Sequence, residues 1–76
     1  MNYKKRITMD QKIMVGKPVI TGTRIPVELI LKMLAEGMKE KEILAGYPRL
    51  TKEDLQAALW YAKELVEDER VYPSIS

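Results

Sequence analysis

The sequence predicts a mainly α fold, in which a short N-terminal β-hairpin segment precedes a bundle of three helices. A Thr-Gly pair lies between Val19-Ile20 and Arg24-Ile25, which is typical of a tight hairpin. Further along, apolar residues recur at spacings of three and four, as on the buried face of a helix. The last such stretch follows a short turn and starts with a capping sequence, which is the outline of a helix-turn-helix.

The chain has 76 residues, which is the size of one small domain. We divide it into a short β arm at 1–25, a three-helix bundle at 26–70 and a tail at 71–76. A domain of this size buries only about 60% of its unfolded surface. Yet 46% of its residues are apolar, and it has no cysteine to form a disulfide. We therefore expect part of the apolar surface to be buried against another chain, with a homodimer as the first candidate.

The β arm contains brief strand-like runs at 7–9 and 13–15, before the hairpin around Thr21-Gly22. A sheet of this size is not stable alone, so it must pack on the helices or pair with a second chain.

The first two helices are bounded by local signals. We predict the first from Pro26 or Val27 to Glu36, because proline is tolerated in a first turn and Gly37 can end the helix in a left-handed conformation. The second should be short, from about Glu40 to Ala45. Its start is weakly capped, because Lys39 stands where Ser, Thr or Asp would serve better.

The third helix has the clearest start. Thr51 is a good N-cap and Asp54 occupies the third helical position, which makes a capping box with Asp in place of Glu. Leu50 and Leu55 form the hydrophobic staple around that cap. The expected core face consists of residues at spacings of three and four: Leu55, Ala58, Leu59, Ala62 and Val66.

The net charge of +2 is unevenly distributed along the chain. Residues 1–24 have six cations and one acid, residues 25–52 have five and four, and residues 53–76 have two and six. Such polarity favours a basic arm for an acidic partner, or pairing of one chain's head with another's tail. Solvated surface at both ends is an equally weighted alternative.

The sequence lacks residue types that several classes of function require. With no His and no Cys, the usual catalytic bases, nucleophiles and soft metal ligands are missing, so we predict no enzyme activity, no metal and no cofactor. The glycines of 16–24 do not have the spacing of a phosphate-binding loop. No apolar run reaches the roughly 18 residues of a membrane span. We therefore expect a cytoplasmic protein with no membrane association.

Nucleic-acid binding has a better basis. In a helix-turn-helix the second helix presents its early exposed residues to the major groove, which here are Lys52 and Gln56. Arg49 precedes them, and we expect Lys4, Lys5 and Arg6 to form a flexible basic arm that reaches a groove and contacts phosphates. Against this, the same helix carries the acids Glu53, Asp54, Glu64 and Glu67. A purely structural bundle remains about as plausible as double-stranded DNA binding.

Trp60 points to a second kind of surface. At 100° per residue it lies about 140° from Leu55, on the side of Glu64 and Glu67 and away from the expected core. Tryptophan is enriched at the centres of protein interfaces. We therefore predict that Trp60, Glu64 and Glu67 contact a protein partner.

Three stretches of the chain are distinctive: Gly-Lys-Pro-Val-Ile-Thr-Gly-Thr-Arg-Ile-Pro-Val at 16–27, Tyr47-Pro48, and Leu-Thr-Lys-Glu-Asp-Leu-Gln-Ala-Ala-Leu at 50–59. In their order and spacing they resemble a small prokaryotic family, domain of unknown function 433. The resemblance covers residues 7 to about 66. It implies a homeodomain-like three-helix fold behind a short β segment. It also implies an antitoxin of a type II toxin–antitoxin pair, similar to VapB-type antitoxins, with a PIN-like ribonuclease as the toxin.

Two functional hypotheses follow. The first is an antitoxin that binds its promoter DNA as a homodimer through the helix-turn-helix and masks its toxin, with the acidic end at Glu64, Glu67, Asp68 and Glu69 covering a basic cleft. The alternative is a protein-interaction or dimerisation module with no DNA binding.

Overall fold

The computed structural model describes residues 2–9, 11–12 and 16–69. In chain order its elements are a 3₁₀ helix (Tyr3–Arg6), strands β1 (Ile7–Thr8) and β2 (Val19–Ile20), and helices α1 (Val27–Ala35), α2 (Glu40–Gly46) and α3 (Lys52–Glu69). The prediction of a mainly α fold, with three helices behind a short β segment, is confirmed. The strand-like run predicted at 13–15 and the tail at 71–76 lie outside the described residues.

The two strands pair antiparallel, with Ile7 opposite Ile20 and Thr8 opposite Val19. The tight turn predicted at Thr21-Gly22 is present, and Gly22 adopts a φ of +82°, which favours glycine. After the turn, the backbone N–H of Ile20 donates to the carbonyl of Ile25 at 2.9 Å. The returning chain makes only a bridge with β2, so the strand ladder forms with β1 instead of Arg24-Ile25.

The ends of α1 and α2 follow the predicted signals. Gly37 adopts a φ of +92°, and its N–H donates to the carbonyl of Leu34 at 3.0 Å, which ends α1 in a left-handed C-cap. Lys39 provides no side-chain acceptor at the start of α2. Glu42 compensates in part, because its carboxylate accepts the backbone N–H of Lys39 at 2.8 Å.

One hydrophobic core connects β2 with the three helices. Its buried members come from each of these elements and from the turn before α3: Ile20, Val27, Ile30, Met33, Ile43, Leu50, Leu55 and Ala58. Because a domain this small has few such residues, each contributes a large share of its stability.

The predicted core face of α3 is wrong over its second half. Leu55 and Ala58 are buried, but Leu59 is 50% exposed and Val66 is 73% exposed. The neighbouring stripe takes their place, because Ala57 is buried and Tyr61 packs against the core. The reason is tertiary: the N-terminal 3₁₀ helix packs on α3 and determines which of two adjacent apolar stripes is covered.

Leu55 and Leu59 therefore provide a matched test of this correction. Leu55→Ala should lower the free energy of unfolding by about 3 kcal/mol, because it leaves a cavity in the core. Leu59→Ala should lower it by less than about 1 kcal/mol, because half of that side chain is already in solvent. Urea unfolding followed by circular dichroism measures both. Equal losses for the two variants would contradict the observed face.

Candidate nucleic-acid interface

The N-terminus of α3 is defined by a reciprocal capping box. The backbone N–H of Thr51 donates to Oδ2 of Asp54 at 3.0 Å, and the N–H of Asp54 donates to Oγ1 of Thr51 at 3.2 Å. Just before it, the N–H of Leu50 donates to the carbonyl of Tyr47 at 2.9 Å and closes the turn from α2. The predicted cap is confirmed, and it holds the start of α3 in one orientation.

Asp54 also forms an ion pair across the fold. Nη1 of Arg6 lies 3.1 Å from Oδ1 of Asp54, whose side chain is only 8% exposed. The sequence interpretation placed Asp54 among the acids that would repel DNA. That interpretation is wrong for this residue, because its carboxylate is buried and paired with a cation.

The N-terminal basic residues do not form a free arm. Tyr3 is buried, and its hydroxyl donates to Oε1 of Glu64 at 2.5 Å. The N–H of Thr21 donates to the carbonyl of Arg6 at 2.9 Å, and its hydroxyl donates to the carbonyl of Lys5 at 3.0 Å. The 3₁₀ helix is thus held on α3 and on the turn that follows β2 at Thr21-Gly22, which we call the β2 turn. The expectation of a flexible arm is wrong, although the side chains of Lys4 and Lys5 are exposed.

The β2 turn also contacts Arg49, a second basic residue near Lys5. Nη2 of Arg49 donates to the carbonyl of Gly22 at 3.0 Å, so the turn before α3 is tied to the turn after β2. A cleft of about 400 Å³ opens beside this point, lined by Asn2, Lys5, Arg6, Thr21 and Asp54. Lys5 and Arg49 therefore both contact the same turn.

The first turns of α3 complete this surface. Lys52 and Gln56 are exposed and stand one helical turn apart, as predicted. Glu53 is exposed between them and is the acid that remains on this part of the helix once Asp54 is paired. We define the basic surface as Lys5, Arg49, Lys52 and Gln56, all of which are exposed. Lys4, also predicted to contact DNA, lines a separate groove with Tyr3 and Tyr61.

Trp60 is exposed as predicted, at 42%, but it has partners within its own chain. Its ring stacks on that of Tyr3, with centroids 6.4 Å apart and planes 13° apart. Nζ of Lys63 lies 5.1 Å from the ring centroid and also pairs with Glu67 at 2.7 Å. Glu64 is half-buried and bonded to Tyr3. Sequence reasoning missed Tyr3, because no periodic pattern links it to α3.

Beyond its second turn, α3 carries exposed apolar residues that the sequence did not indicate. We name Leu59 and Val66 the distal apolar patch, because they share one side of the helix and are 50% and 73% exposed. Leu65 is 50% exposed and lies about 100° from Val66 around the helix. Binding of a partner by Trp60, Glu64 and Glu67 stays a prediction. The side chains of Asp68 and Glu69 lie outside the described part of the chain.

Two further features are absent from the described ranges. No helix there is both long enough and apolar enough to cross a membrane. Nor do those ranges bring together three or more side chains able to hold a metal ion.

A family model described as protein of unknown function, DUF433, matches residues 7–62. The match includes Arg49, Lys52, Gln56 and Trp60. It does not include the N-terminal residues Lys4, Lys5 and Arg6, or Glu64 and Glu67.

Two individual proteins are also similar to this chain. A crystal structure of a DUF433 member protein from Anabaena variabilis has 37% sequence identity and a TM-score of 0.76, over 88% of this chain and 70% of that one. An uncharacterized protein of Archaeoglobus fulgidus is 67% identical over 24 residues, which are 32% of this chain and 67% of that protein.

Because Trp60 stacks on Tyr3, its fluorescence should report whether the N-terminal segment is docked. Tyr3→Ala should shift the Trp60 emission to longer wavelength, since one ring face becomes solvated. Tyr3→Phe, which keeps the stacking ring and removes only the hydroxyl, should retain an emission close to wild type. An unshifted spectrum for folded Tyr3→Ala protein would contradict the docked arrangement.

Proposed function

This chain belongs to the DUF433 family, and we propose that it binds double-stranded DNA through the basic surface around the N-terminus of α3. The observation that supports this most is the gathering of exposed cations from three separate parts of the chain. Lys5 comes from the 3₁₀ helix, Arg49 from the turn after α2, and Lys52 from the first turn of α3. Lys5 and Arg49 are both tied to the β2 turn.

Each group has a role that follows from its chemistry. Gln56 can bind adenine through two hydrogen bonds at its N6 and N7 edge, and Lys52 can reach guanine or a phosphate. Arg49 and Lys5 would contact phosphates, which position the protein without reading sequence. The capping box supports this arrangement, because it fixes the part of α3 that would enter the major groove.

The biological role that we propose is that of an antitoxin which represses its own promoter in the cytoplasm, acting by binding and not by catalysis. A homodimer would place two copies of α3 on half-sites about 34 Å apart, or a multiple of that distance. The support is the resemblance to VapB-type antitoxins and the opposed charges of the two ends of the chain. The partner would be a PIN-like ribonuclease, held by surfaces away from the DNA.

Removing a cation from the basic surface should weaken DNA binding. At about 0.1 M salt, Lys52→Met and Arg49→Met should each weaken binding to the chain's own upstream DNA by about tenfold, and each should reduce the log–log salt slope by about 0.9. Fluorescence anisotropy with a labelled duplex, repeated across a salt series, measures both quantities.

Lys17→Met is the matched control for this experiment. Lys17 is exposed and lies in a groove with Tyr61 and Leu65, beside the distal half of α3. Its removal should leave affinity and slope nearly unchanged. If wild-type protein binds no DNA even at low salt, the DNA-binding proposal is refuted.

A second candidate function is a protein-interaction module without DNA binding, and the distal apolar patch favours it. Contiguous exposed apolar residues commonly mark protein interfaces. Leu59 and Val66 lie only about 20° apart around the helix and seven residues apart along it, so one partner surface can cover both. Trp60, Glu64 and Glu67 would then border this contact.

Co-expression with the protein encoded beside it tests the second candidate. The double variant Leu59→Ser/Val66→Ser should lose the co-purified partner while keeping its helical circular dichroism, since both side chains are largely exposed. The control Lys32→Ser/Lys41→Ser changes two other exposed helical residues and should retain the partner. Retention by both variants would exclude the distal apolar patch as the contact.

A further inference from the structure

The proposed DNA-binding surface surrounds a buried carboxylate. Among the described residues, Asp54 is the charged residue that is buried, at 6% exposure. Both of its oxygens have partners: Oδ1 accepts from Nη1 of Arg6 and Oδ2 from the N–H of Thr51. Since a buried charge without a counter-charge is strongly unfavourable, the guanidinium of Arg6 stabilises this carboxylate in its buried position.

The position of this pair matters for a nucleic-acid ligand. Asp54 lies in the first turn of α3, between the exposed residues Lys52 and Gln56 in sequence. It also lines the open cleft that contains Lys5. Without a nearby cation, its negative charge would face an approaching phosphate and oppose the contribution of Lys5 and Lys52.

Arg6 lies close enough to Asp54 to neutralise its charge, but the same pairing leaves its guanidinium poorly placed to bind a phosphate. Its guanidinium is turned to Asp54, and its carbonyl accepts the N–H of Thr21, so it is fixed from both ends. Arg6 is half-buried, with a side chain that is 40% exposed, whereas Lys4 and Lys5 on the same 3₁₀ helix are exposed. The positive charge of Arg6 is therefore already balanced by Asp54 within the protein.

We infer that Arg6 is a positioning residue for DNA binding, which neutralises Asp54 and holds the 3₁₀ helix on α3 without contacting phosphate. This rests on the proposed DNA-binding function and revises the sequence prediction that Arg6 is a phosphate contact. Phosphate contact from this segment then comes from Lys5, which lines the same cleft as Asp54.

The test compares wild type with Arg6→Met and with the double variant Arg6→Met/Asp54→Asn. Arg6→Met should bind the upstream duplex about tenfold more weakly at about 0.1 M salt, because one uncompensated charge is added to the surface. The double variant has neither charge, so it should bind within about twofold of wild type with the same salt slope. Asn keeps a side-chain oxygen that can accept the N–H of Thr51, so the cap is preserved.

The double variant also decides the question if Arg6→Met fails to fold, since it contains no unpaired buried carboxylate. If Arg6 contacts phosphate, the double variant will remain about tenfold weaker than wild type, with a slope reduced by about 0.9, and the inference is overturned. Lys5→Met is the control for loss of a phosphate contact, and it should bind about tenfold more weakly than wild type with a slope reduced by about 0.9. Absence of binding by wild type would instead be a failure of the proposed function itself.

Discussion

The carboxylate of Asp54 joins two parts of the chain that are 48 residues apart in sequence. One oxygen completes the cap of α3, and the other receives the guanidinium of Arg6. Each interaction makes the other more favourable, because a capping carboxylate can be buried only if its charge is balanced. The start of α3 and the docking of the 3₁₀ helix therefore depend on the same side chain.

The docked 3₁₀ helix in turn determines how the surface of α3 is divided. Tyr3 covers one side of the helix through its stack on Trp60 and its hydrogen bond to Glu64. The core covers Leu55 and Ala58 on another side. What remains are two separate exposed regions, with the basic surface at the N-terminal end and the distal apolar patch towards the other end. One helix thus carries both of the surfaces on which the two proposed functions rest.

Features determined within four residues were predictable from the sequence, because their causes are local. The Thr51–Asp54 cap, the left-handed Gly37 and the turn at Gly22 all have the expected geometry. The buried face of α3 was not predictable in full, because spacing alone cannot distinguish two adjacent apolar stripes. The exposure of Lys52 and Gln56 was foreseen from the helix, whereas the pairing of Arg6 depends on a contact over 48 residues that no local pattern encodes.

The acids of α3 illustrate why counts of charge along a sequence are a poor guide to binding. Its negative residues seemed to argue against a nucleic-acid ligand, yet Asp54 is paired with Arg6 and Glu67 with Lys63. Glu64 is bonded to Tyr3, whose hydroxyl provides no counter-charge, but it lies ten residues beyond Asp54 along the helix. Paired charges contribute little to the potential beyond their immediate surroundings. The potential at the start of α3 is then governed by the exposed cations and Glu53. The same pairing that stabilises the fold therefore removes most of the electrostatic objection to DNA.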